Sequence, residues 1–118
     1  MKITCVTLTA EGGSAFAERE IELVDAGAIG RLSQPWPANG VVFRETTADF
    51  PDWHCAPQRQ LIVLLDGEIE VEVTSGERRR FRGGDVVLVE DTTGTGHRTR
   101  TLSSGPRRSL FIPTERGA

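Results

Sequence analysis

The chain has 118 residues, with 14 Lys and Arg against 17 Asp and Glu, a formal net charge of −3 and 37% hydrophobic residues. That length suits one domain around one core over residues 1–118. The acidic balance supplies no overall basic field, which argues against a nucleic-acid partner, and no apolar run approaches the ~20 residues of a membrane span.

The amino terminus, "MKITCVTLTA", alternates polar residues where a secretory leader needs an unbroken apolar stretch, so a cytoplasmic protein is expected. Its alternation predicts a strand, with Ile3, Cys5 and Thr7 on one face and Thr4, Val6 and Leu8 on the other. Apolar groups on both faces exceed what one small barrel covers, and a homodimer is expected for that reason. Cys5 and Cys55 have neither the spacing nor the density of a disulfide scaffold and are expected as free thiols.

"EGGSA" predicts a turn, "EREIELV" a second strand, and the Gly- and Pro-rich "DAGAIGRLSQPWPANG" an irregular crossing segment. "VVFRET" follows as a strand and "ADFPD" as a turn; "QLIVLL" is a buried strand, and Asp66–Gly67 carries the strongest short-range hairpin signal into "EIEVEV". "TSGE" closes another turn before the charged edge strand "RRRFR". "VVLVE" is buried; "HRTRTL" alternates with His97 and Thr99 inward and Arg98 and Arg100 outward; "RRSLFIP" ends the series. No long helix is called for. The expected fold class is all-β, an antiparallel barrel or closed sandwich, since short strands at regular spacing must hide their edges.

A polar cluster, His54, Gln58 and Gln60, precedes the most hydrophobic run. Buried polar groups need partners, and polar groups on an inward face usually hold a ligand. His54 and Gln60 differ by an even number, so a regular extended strand would turn both to one side and Leu61, Val63 and Leu65 to the other. The segment "EDTTGTGH", Glu90 to His97, gathers two carboxylates, hydroxyls and glycines beside a histidine, more than a connector needs, and reads as a ligand loop forming one wall of a pocket. Plainer roles stand beside these: His54 as a strand cap or a partner of Gln60, His97 as a loop histidine, Cys55 as a small hydrophobe, and Trp53 as a core residue.

The order of these features resembles the cupin superfamily, in particular its small single-domain members, over Val41 to Pro113. His54 falls at the first histidine of the first cupin motif, Ala56 at the second, Gln60 at the glutamate and Gly67 at the glycine. Gly84 opens the second motif and His97 is its histidine. The resemblance implies a cupin double-stranded β-helix, a jelly-roll-like barrel. It also implies a divalent transition metal, Fe, Mn, Ni or Zn, held by His54, Gln60 and His97. Here Ala56 cannot ligate and Gln60 offers only a neutral amide oxygen, which weakens such a site; Glu90, Asp91 or Asp52 would have to supply the lost carboxylate. Two functions follow. One is an enzyme acting on a small organic molecule, either metal-dependent, of oxygenase, isomerase or cyclase type, or metal-free, with His54 or His97 as general base oriented by Glu90 or Asp91. The other is a non-catalytic module that holds a small molecule without metal.

Overall fold

Most of the alternation becomes strand in the computed structural model, which describes residues 1–115, but the strand in "EREIELV" ends at Glu20, and the turn expected at "ADFPD" gives way at Phe50 to a strand. In chain order these are β1 (Lys2–Leu8), β2 (Ser14–Glu20), β3 (Val24–Asp25), β4 (Arg31–Leu32), β5 (Val42–Thr46), β6 (Phe50–His54), β7 (Gln60–Leu64), β8 (Glu68–Glu72), β9 (Arg78–Arg82), β10 (Val86–Val89), β11 (His97–Thr101) and β12 (Arg107–Pro113). Among the described residues the helical content is one short 3₁₀ turn, Gly27–Ile29.

A six-stranded sheet, β2-β1-β10-β7-β12-β5, faces a four-stranded sheet, β6-β11-β8-β9, and β3 and β4 form a separate ribbon. From β5 onward the pairing is nested: β5 with β12, β6 with β11, β7 with β10 and β8 with β9. That is one long hairpin wound upon itself, the two-Greek-key order of a jelly roll. The pairings described lie within each sheet, so the arrangement is a two-layer sandwich, and the expected closure into a barrel is not among them. Antiparallel pairing does not hold throughout either: β1 runs parallel to β10, Thr4 opposite Val87.

Consecutive strands form hairpins at β1–β2 and at β8–β9, where the Val73 N–H donates to the Glu77 carbonyl at 3.1 Å. Asp66–Gly67 is not a hairpin, because β7 and β8 belong to different sheets. Its glycine is nonetheless required: φ is +74°, and a Cβ there would lie 2.7 Å from the Arg107 Cβ. The dipeptide specifies a tight turn, whereas the partners of β7, namely β10 and β12, decide where the chain goes next.

Asp66 ties this turn to β12, accepting the Arg108 N–H at 2.6 Å and Arg108 Nε at 2.8 Å. Those bonds, the backbone one first, hold its carboxyl below the ordinary value of 3.8. A depressed carboxyl contributes stability that is in place above its unfolded pKa and is lost as pH falls through the folded one. Asp66→Asn is therefore expected to be less stable than the parent at neutral pH and to converge on it below about pH 3.8. Denaturant midpoints across the acid limb check this, and a constant gap at every pH would refute it.

The sandwich interior holds Val6, Leu64, Val71, Val73, Phe81, Val87 and Val89. On the opposite face of β1 and β10, Ile3, Cys5 and Leu88 form a second cluster under Ile21, Trp36, Leu61 and Val86. The chain thus covers with its own residues the β1 face that suggested a second copy. Burial, with Glu90 nearby, pushes the Cys5 thiol up. On the outer surface of the smaller sheet, Glu70 and Glu72 of β8 lie opposite Arg80 and Arg78 and also bind Arg100 and Arg98. Trp53 belongs to this outer surface and not to the core: it is 37% exposed, with the Arg98 guanidinium 4.8 Å from its ring. Phe50 and His54, of even number on the same strand, take the inward positions instead.

Candidate functional site

Between the sheets lies a cavity of about 260 Å³, walled largely by aliphatic and aromatic side chains, with His54, Gln60 and His97 on its lining. That is just under the ~300–1,000 Å³ common for small-molecule pockets. His54 ends β6 and His97 opens β11, directly opposite it in the ladder, with an irregularity between His97 and Thr99. Their ring centroids are 4.7 Å apart, and the Phe50 ring stands 5.8 Å from His54 on its other side.

Each imidazole is held by Nδ1. His54 Nδ1 lies 3.0 Å from the carbonyl oxygen of Asp52. A carbonyl only accepts, so this nitrogen carries a hydrogen and Nε2 of the neutral ring is bare. His97 Nδ1 donates to Asp91 Oδ2 at 2.5 Å. Asp91 is 0% exposed and His97 7%, and the second carboxylate oxygen, Oδ1, has no partner among the described residues. Both rings therefore share one tautomer and leave Nε2 as the nitrogen available to the cavity.

The Glu90–Gly96 segment works differently from its expected role as a wall, since none of its residues lines the cavity. It is clamped to the rest of the fold: Thr95 N–H donates to Gly12 O at 2.9 Å, Ser14 Oγ to Gly96 O at 2.6 Å, Cys55 Sγ to Gly94 O at 3.1 Å, and Ala56 N–H to Asp91 O at 3.0 Å. The loop thereby fixes Asp91 and His97 against the chain that carries His54. Glu90 turns its carboxylate to Arg59 Nε, 2.8 Å away. Asp52 is exposed and contributes only its carbonyl.

Gln60 opens β7 in the other sheet and is 3% exposed. It faces the cavity from across the sandwich and not from the strand of His54, because the chain changes sheets around Ala56 and Pro57. Within β7 the alternation holds, with Gln60, Ile62 and Leu64 on the cavity and Leu61 in the outer cluster. Ala56, which the resemblance set at a histidine position, also lines the cavity and offers only a methyl group.

These donors do not fit a resident divalent metal. Two imidazole nitrogens and an amide oxygen supply no negative charge, Asp91 is engaged behind His97 and Glu90 by Arg59. Among the described residues no group of three or more His, Cys, Asp and Glu side chains could hold an ion.

Thr99 lines the same cavity, as its alternation predicts, but sequence reading missed its other polar groups, Arg44, Asp66, Arg107, Arg108 and Ser109. Arg107, Ser109 and Phe111 alternate inward on β12, and Arg44 of β5 lies opposite Ser109. In "GPRRS" two adjacent arginines carry no sign of which one turns in.

No family model matches the chain, and no curated protein does. Solved structures similar to it include the following two. The crystal structure of protein NMB1881 from Neisseria meningitidis is 18% identical, with 71% of this chain and 89% of that one covered and a TM-score of 0.48. The cupin domain of Cnp3 from Schizosaccharomyces pombe is 14% identical, with 97% of this chain and 84% of that one covered and a TM-score of 0.39. One of these neighbours is thus a cupin domain.

Proposed function

We propose that this cupin-like sandwich is a small-molecule enzyme of the proton-transfer type, an isomerase, in which His97 is the general base and His54 its acid partner. The observation that supports this reading is the locked pair of imidazoles, each fixed at Nδ1 and 4.7 Å apart at the mouth of an apolar cavity. His97 Nε2 takes a proton from the bound molecule. Asp91 keeps Nδ1–H in place and faces the positive charge that forms on the ring. His54, entering the cycle protonated at Nε2, returns a proton at a neighbouring atom, so the ligand's double bond moves, and transfer of the proton from His97 to His54 through solvent after release restores both rings. Aliphatic walls exclude water and strengthen each of these interactions. Positioned acid–base groups of this kind supply roughly 10²–10⁴-fold in rate. No step is routed through a metal, given the donor set above. Two unpaired thiols, Cys5 and Cys55, support a reducing compartment, the cytoplasm. No helix among the described residues is long and apolar enough to cross a membrane.

The test is deuterium exchange. The protein, purified without a histidine tag, is incubated in D₂O with a panel of small carbonyl compounds, and C–H exchange is followed by NMR. Exchange above buffer is expected for at least one compound, with a loss of about 10²-fold or more in His97→Gln. Compounds that bind without exchanging would favour the non-catalytic holder. A stoichiometric metal in the parent, absent from His97→Gln, would overturn the metal-free mechanism.

A further inference from the structure

We propose that the molecule bound in this cavity carries a carboxylate, and that Arg107, with Arg44 beside it, is the group that recognises it. The inference rests on the reading that the cavity binds a small organic molecule, and it adds the chemical class.

Arg107 opens β12, lines the cavity and is 6% exposed. One terminal nitrogen, Nη2, donates to the Ala48 carbonyl at 3.3 Å; the other, Nη1, is buried with no partner among the described residues. The contrast with its neighbour is direct. Arg108 is saturated by Asp66, with Nε and Nη2 each 2.8 Å from the carboxylate, whereas among the described residues Arg107 and Arg44 make no ion pair. Asp49, the acid that acts on Arg107 through space, makes no ion pair with it and accepts the Thr101 N–H at 2.6 Å.

Arg44 lies 4.8 Å from the Phe50 ring and 5.0 Å from the Phe111 ring, so its flat faces are occupied by aromatic rings and not by an acid. Burial lowers the pKa of both arginines, and Arg107 lowers that of Arg44 further, as like charges do. A guanidinium does not shed its proton in a protein, so two cations that make no ion pair among the described residues, opposed only by Asp49 through space, stand at one end of an apolar cavity and favour an anion there.

A carboxylate fits better than a phosphate. The planar fork of arginine matches the two carboxylate oxygens. A dianion would be dearer to dehydrate among Ile62, Leu64 and Ile69, and the Asp66 carboxylate on the same lining would repel it more strongly than a single negative charge. The geometry also sets the length. The Ala48 carbonyl that holds Arg107 also accepts from Thr101 Oγ1 at 3.3 Å. Thr101 is four residues along β11 from His97, roughly 13 Å of strand. A ligand reaching both ends therefore has several bonds between its carboxylate and the group that meets Nε2, with an apolar chain between them.

Equilibrium binding decides this without reference to turnover. Hexanoate, hexanamide, hexanol and inorganic phosphate are titrated into the parent, Arg107→Met, Arg107→Lys and His97→Gln by calorimetry. Hexanoate is expected to bind at least ~10-fold tighter than hexanamide or hexanol, and phosphate not at all. Arg107→Met should lose that preference while its ligand-free thermal midpoint stays level or rises, since an unpaired buried charge has gone. Arg107→Lys should keep part of the preference, and His97→Gln should bind hexanoate within a few-fold of the parent, so failure of the proton-transfer reading leaves this result intact. The proposal is overturned if hexanoate fails to bind, if hexanamide or phosphate binds the parent equally well, or if Arg107→Met binds hexanoate like the parent. Should Arg107→Met not fold, the parent's discrimination between hexanoate and hexanamide decides.

Discussion

Gly96→Ala is expected to remove most of the protein's stability, on the order of 4 kcal/mol or more, out of the ~5–15 kcal/mol that holds a domain of this kind together. A Cβ at position 96 would sit 2.0 Å from the carbonyl oxygen of His54, 2.2 Å from its carbonyl carbon and 2.6 Å from the Cys55 nitrogen. All three are backbone atoms of the segment that carries His54, so nothing flexible can give way. The φ of +81° adds strain of its own, ~1–2 kcal/mol for a residue with a side chain. Gly105→Ala separates the two effects, because its φ is +75° but nothing lies within 4 Å of the added carbon. It should cost only the conformational part. Urea midpoints of the two variants make the comparison, and similar losses would show that the close approach of the strands at Gly96 does not matter. The larger loss would locate a functional constraint as well, because this approach is what brings His97 beside His54.

Asp91→Asn is expected to lower the proton-exchange rate by about 10³-fold or more while leaving the fold intact, the size of effect seen where a buried carboxylate fixes an imidazole tautomer. The carboxylate can only accept, so it forces the hydrogen onto His97 Nδ1 and leaves Nε2 bare. An amide can instead donate to Nδ1, which moves the ring hydrogen to Nε2 and removes the base. Stability should change little or rise, since a buried carboxylate with one unpartnered oxygen is replaced by a neutral group of the same shape. Nitrogen-15 shifts of the His97 ring report the tautomer directly. A ring that keeps Nδ1–H in the variant, with exchange unaltered, would remove Asp91 from the mechanism; a changed tautomer with unaltered exchange would remove His97.

Much of the candidate site could be read from spacing, and the limits have a common cause. His54, Gln60 and His97 were singled out, and all three line one cavity. The argument that joined His54 to Gln60 was strand parity, yet the two stand on facing sheets. Glu90 and Asp91 were indistinguishable as partners for a histidine, and the fold sends one to Arg59 and the other under His97. Arg107 and Arg108 differ in a similar way, one buried with a terminal nitrogen unpartnered among the described residues and one exposed and paired with Asp66.

What the sequence determined by itself was local: strands with a period of two and glycine where the chain turns at positive φ. Those properties depend on sterics and alternation within a few residues, so they survive in any fold the chain adopts. What only the tertiary structure decided was which strand each strand meets and which of two adjacent residues faces inward. Asp66–Gly67 dictates a tight turn equally well for a hairpin or for a change of sheet, and the outcome was chosen by β10 and β12 pairing with β7 from more than twenty residues away. Adjacent residues of an extended chain point to opposite faces. Asp91 and Arg107 therefore became buried groups of the site, and Glu90 and Arg108 partners at its margin, only when the two sheets came together and one face of each became the inside.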